Sequence, residues 1–91
     1  MLYIVKTTSA IQDMAKLCQE GDQVLLIEDA IYAANSQHGL FSLLKSLQVY
    51  VLENDAIARG IYNRLSPSIT AVDYAGFVEL TEHHANSLTW N

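Results

Sequence analysis

Short apolar runs alternate with amphipathic segments along this chain, and the alternation predicts strands separated by helices. Four of these runs predict strands, at residues 2–5, 24–27, 49–52 and 69–72. The second run contains only β-branched residues and leucine, which is typical of a strand buried on both faces. Strands that alternate with helices predict an α/β domain, here a small parallel sheet of about four strands with helices on both faces. We expect the flavodoxin-like strand order 2-1-3-4.

Amphipathic segments predict the helices between these strands, at residues 9–18, 30–34, 40–47, 55–61 and 75–82. Ser9 is the expected N-cap of the first helix, with Gln12 completing a capping box and Gly21 following the helix end. The length of 91 residues predicts a single domain over 1–91. Four short strands leave helix faces and a sheet edge uncovered, which favours oligomerisation.

Hydropathy and charge restrict the expected location of the protein and the classes of partner that it can bind. No apolar run exceeds the length of Ala30 to Ala34, which is far shorter than the about 20 residues of a membrane helix, so we expect no membrane insertion and a cytoplasmic protein. Ten acidic residues against five basic ones give a formal net charge of −5. The bases are scattered, which argues against direct nucleic-acid binding by this chain. They are Lys6, Lys16, Lys45, Arg59 and Arg64.

The carboxyl ends of the predicted strands are mostly acidic, and this end of an open parallel sheet is where ligands usually bind. The Thr7-Thr8-Ser9 turn is the one credible anion site, but it contains no glycine to let a phosphate approach. We therefore favour helix capping over nucleotide or flavin binding and expect no cofactor. Three acids, Asp29, Asp55 and Asp73, also precede predicted helices and are interpreted as caps.

The single cysteine, Cys18, excludes an intrachain disulfide. It falls in the last turn of the first predicted helix, on the apolar face, with Glu20 and Asp22 close in sequence. Burial, the negative helix end and acidic neighbours all disfavour a thiolate, so we interpret Cys18 as a largely buried structural residue. A sulfur carrier that uses Cys18 is the alternative.

Other reactive groups do not assemble into a recognisable site. Among His38, His83 and His84, only His83 has a carboxylate, Glu79, at helical spacing, and two ligands do not make a zinc site. The chain has no CxxC, Walker or GxGxxG sequence. We expect neither a metal site nor a freestanding enzyme.

Large aromatic side chains exceed what four short strands can bury, and exposed aromatic area on such a domain usually marks a protein interface. Our interface candidates are Arg59, Tyr62 and Trp90, because Arg, Tyr and Trp are enriched at interfaces. Arg59 is spaced to pair with Asp55 on one helix, or to anchor a carboxylate of a partner. The alternative is that the rings only cap the ends of the core.

Five segments together resemble the DsrH/TusB family, in order and with matching spacing. They are Val24–Ala34, Val49–Leu52, Asp55–Gly60, Val72–Thr81 and Asn86–Trp90. The resemblance implies a DsrE-like three-layer fold and a cytoplasmic heterohexamer with two related DsrE-like subunits, TusC- and TusD-like. In the Tus version such a complex relays persulfide sulfur for 2-thiolation of the wobble uridine of transfer RNA, and the partner D subunit carries the cysteine.

The resemblance also implies a position for a cysteine in the alternative Dsr version, in which the H subunit carries one in its first helix. Aligned on Glu20-Gly21, that position is Met14 here, so Cys18 does not match it. The resemblance thus favours a non-catalytic, TusB-type accessory subunit. A DsrH-like subunit or a stand-alone homodimeric sulfur carrier using Cys18 stays the alternative.

Overall fold

The strands of the protein form one five-stranded sheet. In the computed structural model, which describes residues 1–91, the strands are β1 (Leu2–Val5), β2 (Gln23–Leu26), β3 (Gln48–Leu52), β4 (Thr70–Val72) and β5 (Ser87–Trp90). The helices are α1 (Thr8–Leu17), α2 (Glu53–Ala58) and α3 (Tyr74–His83), with 3₁₀ helices at Glu28–Ala34, Phe41–Leu43 and Tyr62–Arg64. The two longest α-helices have ten residues, and no helix has both the length and the apolar character to cross a bilayer.

Every neighbouring pair of strands is parallel, and the strand order is β4-β3-β2-β1-β5. The four predicted strands and the parallel α/β class are confirmed. The predicted order 2-1-3-4 is wrong. It requires the chain to change direction across the sheet after β2, and the sequence pattern did not predict β5. In the structure the chain steps from β1 through β4 in one direction and reverses only to reach β5.

The handedness of the crossovers explains where the helices lie. Right-handed connections that step in one direction must all lie on the same face of a sheet, whereas a step in the reverse direction lies on the opposite face. Accordingly α1, the first 3₁₀ helix and α2 pack on one face, and α3, which precedes the reverse step to β5, packs on the other. The predicted three-layer arrangement is therefore confirmed, with unequal layers.

The main core fills the thicker side of the sheet and contains 16 buried residues. Alternate strand residues such as Val5, Val24 and Val51 meet Ile11 and Met14 of α1 there. The second core, beneath α3, contains only four buried residues: Leu2, Ile4, Leu25 and Leu80. Most of the burial that stabilises the fold is therefore on the α1 side.

Local capping differs from the sequence prediction by a few residues. The N-cap of α1 is Thr7, whose Oγ1 accepts a hydrogen bond from the Ala10 N–H at 3.3 Å, and the predicted Ser9–Gln12 capping box is wrong. Ser9 lies inside the first turn, where its hydroxyl meets Thr7 Oγ1 at 3.2 Å. Gly21 has φ 89 in the turn before β2, a conformation that glycine adopts without steric cost. The predicted helix over 40–47 is reduced to the 3₁₀ helix Phe41–Leu43.

Candidate functional site

Charged side chains converge at the carboxyl end of the sheet, just beyond β1, β2 and β3. Lys6 follows β1, and its Nζ lies 3.7 Å from Oε2 of Glu28. The Glu28 N–H donates to Oδ2 of Asp55 at 2.8 Å. Glu28 has φ 50, in the left-handed region that a non-glycine residue seldom adopts, so this hydrogen bond holds the chain in a strained turn after β2.

Arg59 pairs with two carboxylates at the same end of the sheet. Its Nε donates to Oδ1 of Asp29 at 3.1 Å, and its Nη1 lies 3.9 Å from Oδ1 of Asp55, four residues earlier. The spacing of Asp55 and Arg59 predicted the second contact. The predicted capping role of Asp29 is wrong, because its carboxylate pairs with Arg59, 30 residues away in sequence. Only Asp73 caps a helix as predicted, by accepting from the Gly76 N–H at 2.8 Å. Asp29 and Asp55 instead join the first 3₁₀ helix to α2.

A cavity of about 450 Å³ lies beside this ionic cluster. Its lining includes Tyr32, His38, Arg59 and Arg64 and contains no acidic residue. Arg64 lies in the 3₁₀ helix after α2, is exposed, and forms no ion pair. Only Arg59 of this lining was a predicted interface residue. The cavity itself was not predicted, because its lining comes from two stretches, residues 32–38 and 59–64, that are distant in sequence.

The thiol lies at the opposite end of the sheet. Cys18 is the C-cap of α1, close to the amino end of β2, and is half-buried against the main core. It lines a depression of about 610 Å³ whose other residues include Glu20 and Asp22. Cys18 was placed in the last helical turn and expected to be largely buried, so both its position and its exposure differ slightly from the prediction.

Electrostatics at this amino end disfavour a thiolate. Burial raises the pKa of the Cys18 thiol, and the Asp22 carboxylate raises it further, while the N-terminal ammonium acts in the opposite direction. The pKa of Asp22 itself is lowered, chiefly because the Gln19 N–H donates to its Oδ2 at 2.8 Å. The Met1 ammonium, 3.1 Å from Oδ1 of Asp22, contributes in the same direction. A negative charge is thus fixed next to the only thiol.

The predicted interface residues differ in how accessible they are. Tyr62 is 42% exposed, and Arg59 is 24% exposed at its side chain, so both are accessible to a partner. Trp90 ends β5 and packs against the main core, and its Nε1 is buried without a hydrogen-bond partner. Glu79 and His83 line a depression on α3 with Glu82, but no three such side chains are close enough to hold a metal ion.

The structure also places the position at which the resemblance implies a cysteine in the Dsr version. Met14 occupies it, on the inner face of α1, with none of its surface exposed. A side chain at this point packs into the main core beside Ile11 and Ala10. No reactive group of the chain therefore lies there.

Comparison with known proteins identifies the family. The family model described as DsrH like protein matches residues 6–87. Protein TusB of Escherichia coli O81 (strain ED1a) is 35% identical, with 99% of this chain and 100% of that protein covered. Protein TusB of Shigella dysenteriae serotype 1 (strain Sd197) is 34% identical over the same shares.

A solved structure shows the same fold. The ychN protein from E. coli superposes with a TM-score of 0.76 over 98% of this chain and 97% of that chain, at 14% identity. The similarity confirms the predicted DsrE-like architecture. From the family match and the full-length identity to TusB proteins, this chain belongs to the DsrH/TusB family.

Proposed function

We propose that this chain is a non-catalytic subunit of a TusBCD-type sulfur relay that supports 2-thiolation of the transfer-RNA wobble uridine. Family membership supports the sulfur-relay role. The single observation that carries the non-catalytic part is the position of Cys18, half-buried at the amino end of the sheet beside Asp22. The complex operates in the cytoplasm and includes two related DsrE-like subunits in a heterohexamer.

The chemistry of sulfur transfer explains why this position matters. A receiving thiolate attacks the outer sulfur of a donor persulfide, a new S–S bond forms, the old one breaks, and the donor leaves as a thiolate. The attacking group must be both ionised and accessible. The raised pKa of Cys18 lowers the ionised fraction at neutral pH, and its packing against the core restricts access. The thiol that receives sulfur is therefore assigned to a partner subunit.

The accessory role is to complete the assembly. The exposed side chains near the carboxyl end include Tyr32 at 39% and Tyr62 at 42%, next to a cavity lined by arginines. Aromatic and arginine side chains of this kind dominate binding energy at protein interfaces. Arg59, Tyr62 and Trp90 are the proposed interface residues. This chain contacts no nucleic acid itself, which agrees with its net charge of −5.

One observation favours a second candidate, a homodimeric or DsrH-like sulfur carrier. Cys18 lines a depression large enough to admit a small thiol or a persulfide side chain. In this alternative Cys18 itself would accept sulfur, and the neighbouring acids would have to be displaced or neutralised first. The two candidates differ in the partner that they require and in the residue that carries sulfur.

Co-purification from the native organism separates the candidates. We expect the tagged chain to bring down two related DsrE-like subunits, one of them with an accessible cysteine, in equal amounts by native mass spectrometry. Deletion of the gene should abolish 2-thiouridine in transfer RNA, measured by mass spectrometry of nucleosides. A homodimer without these subunits, carrying persulfide sulfur on Cys18 after exposure to a persulfide donor, would refute the proposal.

A further inference from the structure

We propose that the cavity beside Arg59 and Arg64 holds a carboxylate side chain of a partner subunit. The inference rests on the proposed function for the existence of that partner, and it deepens the proposal by assigning the contact. The cavity is lined by both arginines of the chain and by no acid, although the chain has twice as many acidic as basic residues. The lining of the cavity therefore carries cationic side chains and no anionic one, although Asp29 and Asp55 pair with Arg59 from outside the lining.

Arg64 supplies the uncompensated charge. Arg59 is already neutralised by Asp29 and Asp55, at 3.1 and 3.9 Å. Arg64 has neither an ion pair nor a side-chain hydrogen bond within the chain, although a planar guanidinium is suited to bidentate binding of a carboxylate. The ionic cluster around Arg59 fixes one wall of the cavity, and Arg64 provides the group that meets the incoming charge.

Neighbouring side chains add neutral donors of the right kind. The Leu40 N–H donates to Nδ1 of His38 at 3.1 Å, so the proton of the neutral ring is on Nε2, which is then a donor. The Oδ1 of Asn35 accepts from the Gln37 N–H at 3.0 Å, which leaves the amide nitrogen of Asn35 free to donate. Both residues line the cavity. An acceptor-only group such as a carboxylate matches this set of donors.

The surroundings favour a protein over a nucleic acid as the source of the carboxylate. Tyr32 lines the cavity and is 39% exposed, and Tyr62, two residues before Arg64, is 42% exposed. A phosphate backbone would bring a series of negative charges against a chain with a net charge of −5. A single acidic side chain flanked by apolar residues of a protein partner avoids that repulsion and covers both rings.

The test compares charge changes at Arg64 with the same change elsewhere. The chain is co-expressed with its DsrE-like partner subunits as wild type, Arg64→Gln, Arg64→Glu and, as the matched control, Lys16→Glu. Lys16 is also exposed and without an ion pair, but lies on α1. Dissociation constants are measured with purified subunits, and circular dichroism confirms folding. We expect about a tenfold weaker complex for Arg64→Gln, at least a hundredfold weaker one for Arg64→Glu, and no change for Lys16→Glu.

Other outcomes would refute the carboxylate site, and one of them would also refute the proposed function. If Arg64→Glu assembles as tightly as wild type, the carboxylate site is refuted while the proposed function stands. If the wild-type chain itself binds no such subunit, both are refuted. If the Arg64 variants assemble normally but lose binding to transfer RNA, the cavity binds phosphate and the inference is wrong. Should Arg64→Glu fail to fold, Arg64→Gln alone decides, because an unchanged affinity in that variant refutes the site.

Discussion

The two ends of the parallel sheet differ in the chemistry that they present. At the amino end, the only thiol of the chain is half-buried and adjoins Asp22, whose negative charge is stabilised by hydrogen bonds. At the carboxyl end, Arg59 joins two carboxylates, and the neighbouring cavity is lined by arginines without any acid. The thiol therefore lies in surroundings that disfavour its ionisation, whereas the arginines lie at the end where open parallel sheets usually bind ligands.

The thiol and the side chains suited to contact a partner therefore lie at opposite ends of the sheet. A sulfur carrier needs an accessible thiolate near the surface that meets its donor, and here those properties do not coincide. A subunit that only completes an assembly needs exposed aromatic and arginine side chains on a rigid frame, and the carboxyl end supplies both. Each of the following substitutions tests one part of the contrast, beginning with the largest expected effect.

Trp90, at the carboxyl end of β5, is expected to give the largest effect. Trp90→Ala should lower the free energy of unfolding by about 2–4 kcal/mol, because the indole ring packs against the main core. Trp90→Phe keeps most of that apolar contact and removes a buried N–H without a partner, so its cost should be below about 1 kcal/mol. Urea unfolding of both variants measures the difference.

Assembly of the same variants decides whether Trp90 also contacts a partner. A Trp90→Ala chain that stays folded but no longer binds the partner subunits would assign Trp90 to the interface. Normal assembly would remove Trp90 from the proposed interface and leave Arg59 and Tyr62. A variant that simply unfolds would return Trp90 to the core and show that the aromatic side chains there only cap it.

Asp55 tests the ionic frame of the carboxyl end. Asp55→Ala should cost about 1–2 kcal/mol, because the Glu28 N–H loses its acceptor and Arg59 loses one of its two carboxylates. Asp13→Ala is the control, since Asp13 is exposed on α1 and forms no hydrogen bond or ion pair through its side chain. Equal unfolding free energies for the two variants would show that the cluster does not hold the strained turn at Glu28.

The pH dependence of stability in an Asp22 variant tests the charge interaction at the amino end. Because the folded pKa of Asp22 is lowered, its charge stabilises the fold above the unfolded pKa of about 3.9, and this contribution is lost as pH falls through the folded value. Asp22→Asn should therefore cost about 1 kcal/mol or less at pH 7 and nothing at strongly acidic pH. Urea unfolding at several pH values measures the difference between the two proteins. Both must begin at Met1, because its ammonium group pairs with Asp22. A cost that persists in acid would contradict the charge interaction.

Sequence reasoning predicted the fold better than the topology, and the reason lies in β5. The strands β1 to β4 contain continuous apolar runs, whereas Ser87–Trp90 has only Leu88 and Trp90 as apolar positions and was noted only as part of a family resemblance. Without the last strand, the point at which the chain reverses cannot be located. The strand order and the unequal layers both depend on that point.

The candidate site was predictable only where its contacts are local. The helical spacing of Asp55 and Arg59 predicted their ion pair, but Asp29 reaches Arg59 across 30 residues of sequence. The left-handed backbone of Glu28 has no sequence signal, because glutamate rarely adopts it. Arg64 and His38 are brought together by the 3₁₀ segments, whose packing a single sequence does not reveal.

The central claim is that the protein needs no thiol of its own, and transfer-RNA thiolation in a Cys18→Ser strain tests it most directly. The substituted gene replaces the wild type at its native locus, and the 2-thiouridine content of wobble positions is measured by mass spectrometry, with the gene deletion as the lower reference. The account predicts wild-type thiolation, because Cys18 is half-buried, its pKa is raised, and it lies at the amino end of the sheet. Thiolation as low as in the deletion strain, with the variant still abundant and bound to its partner subunits, would contradict the account.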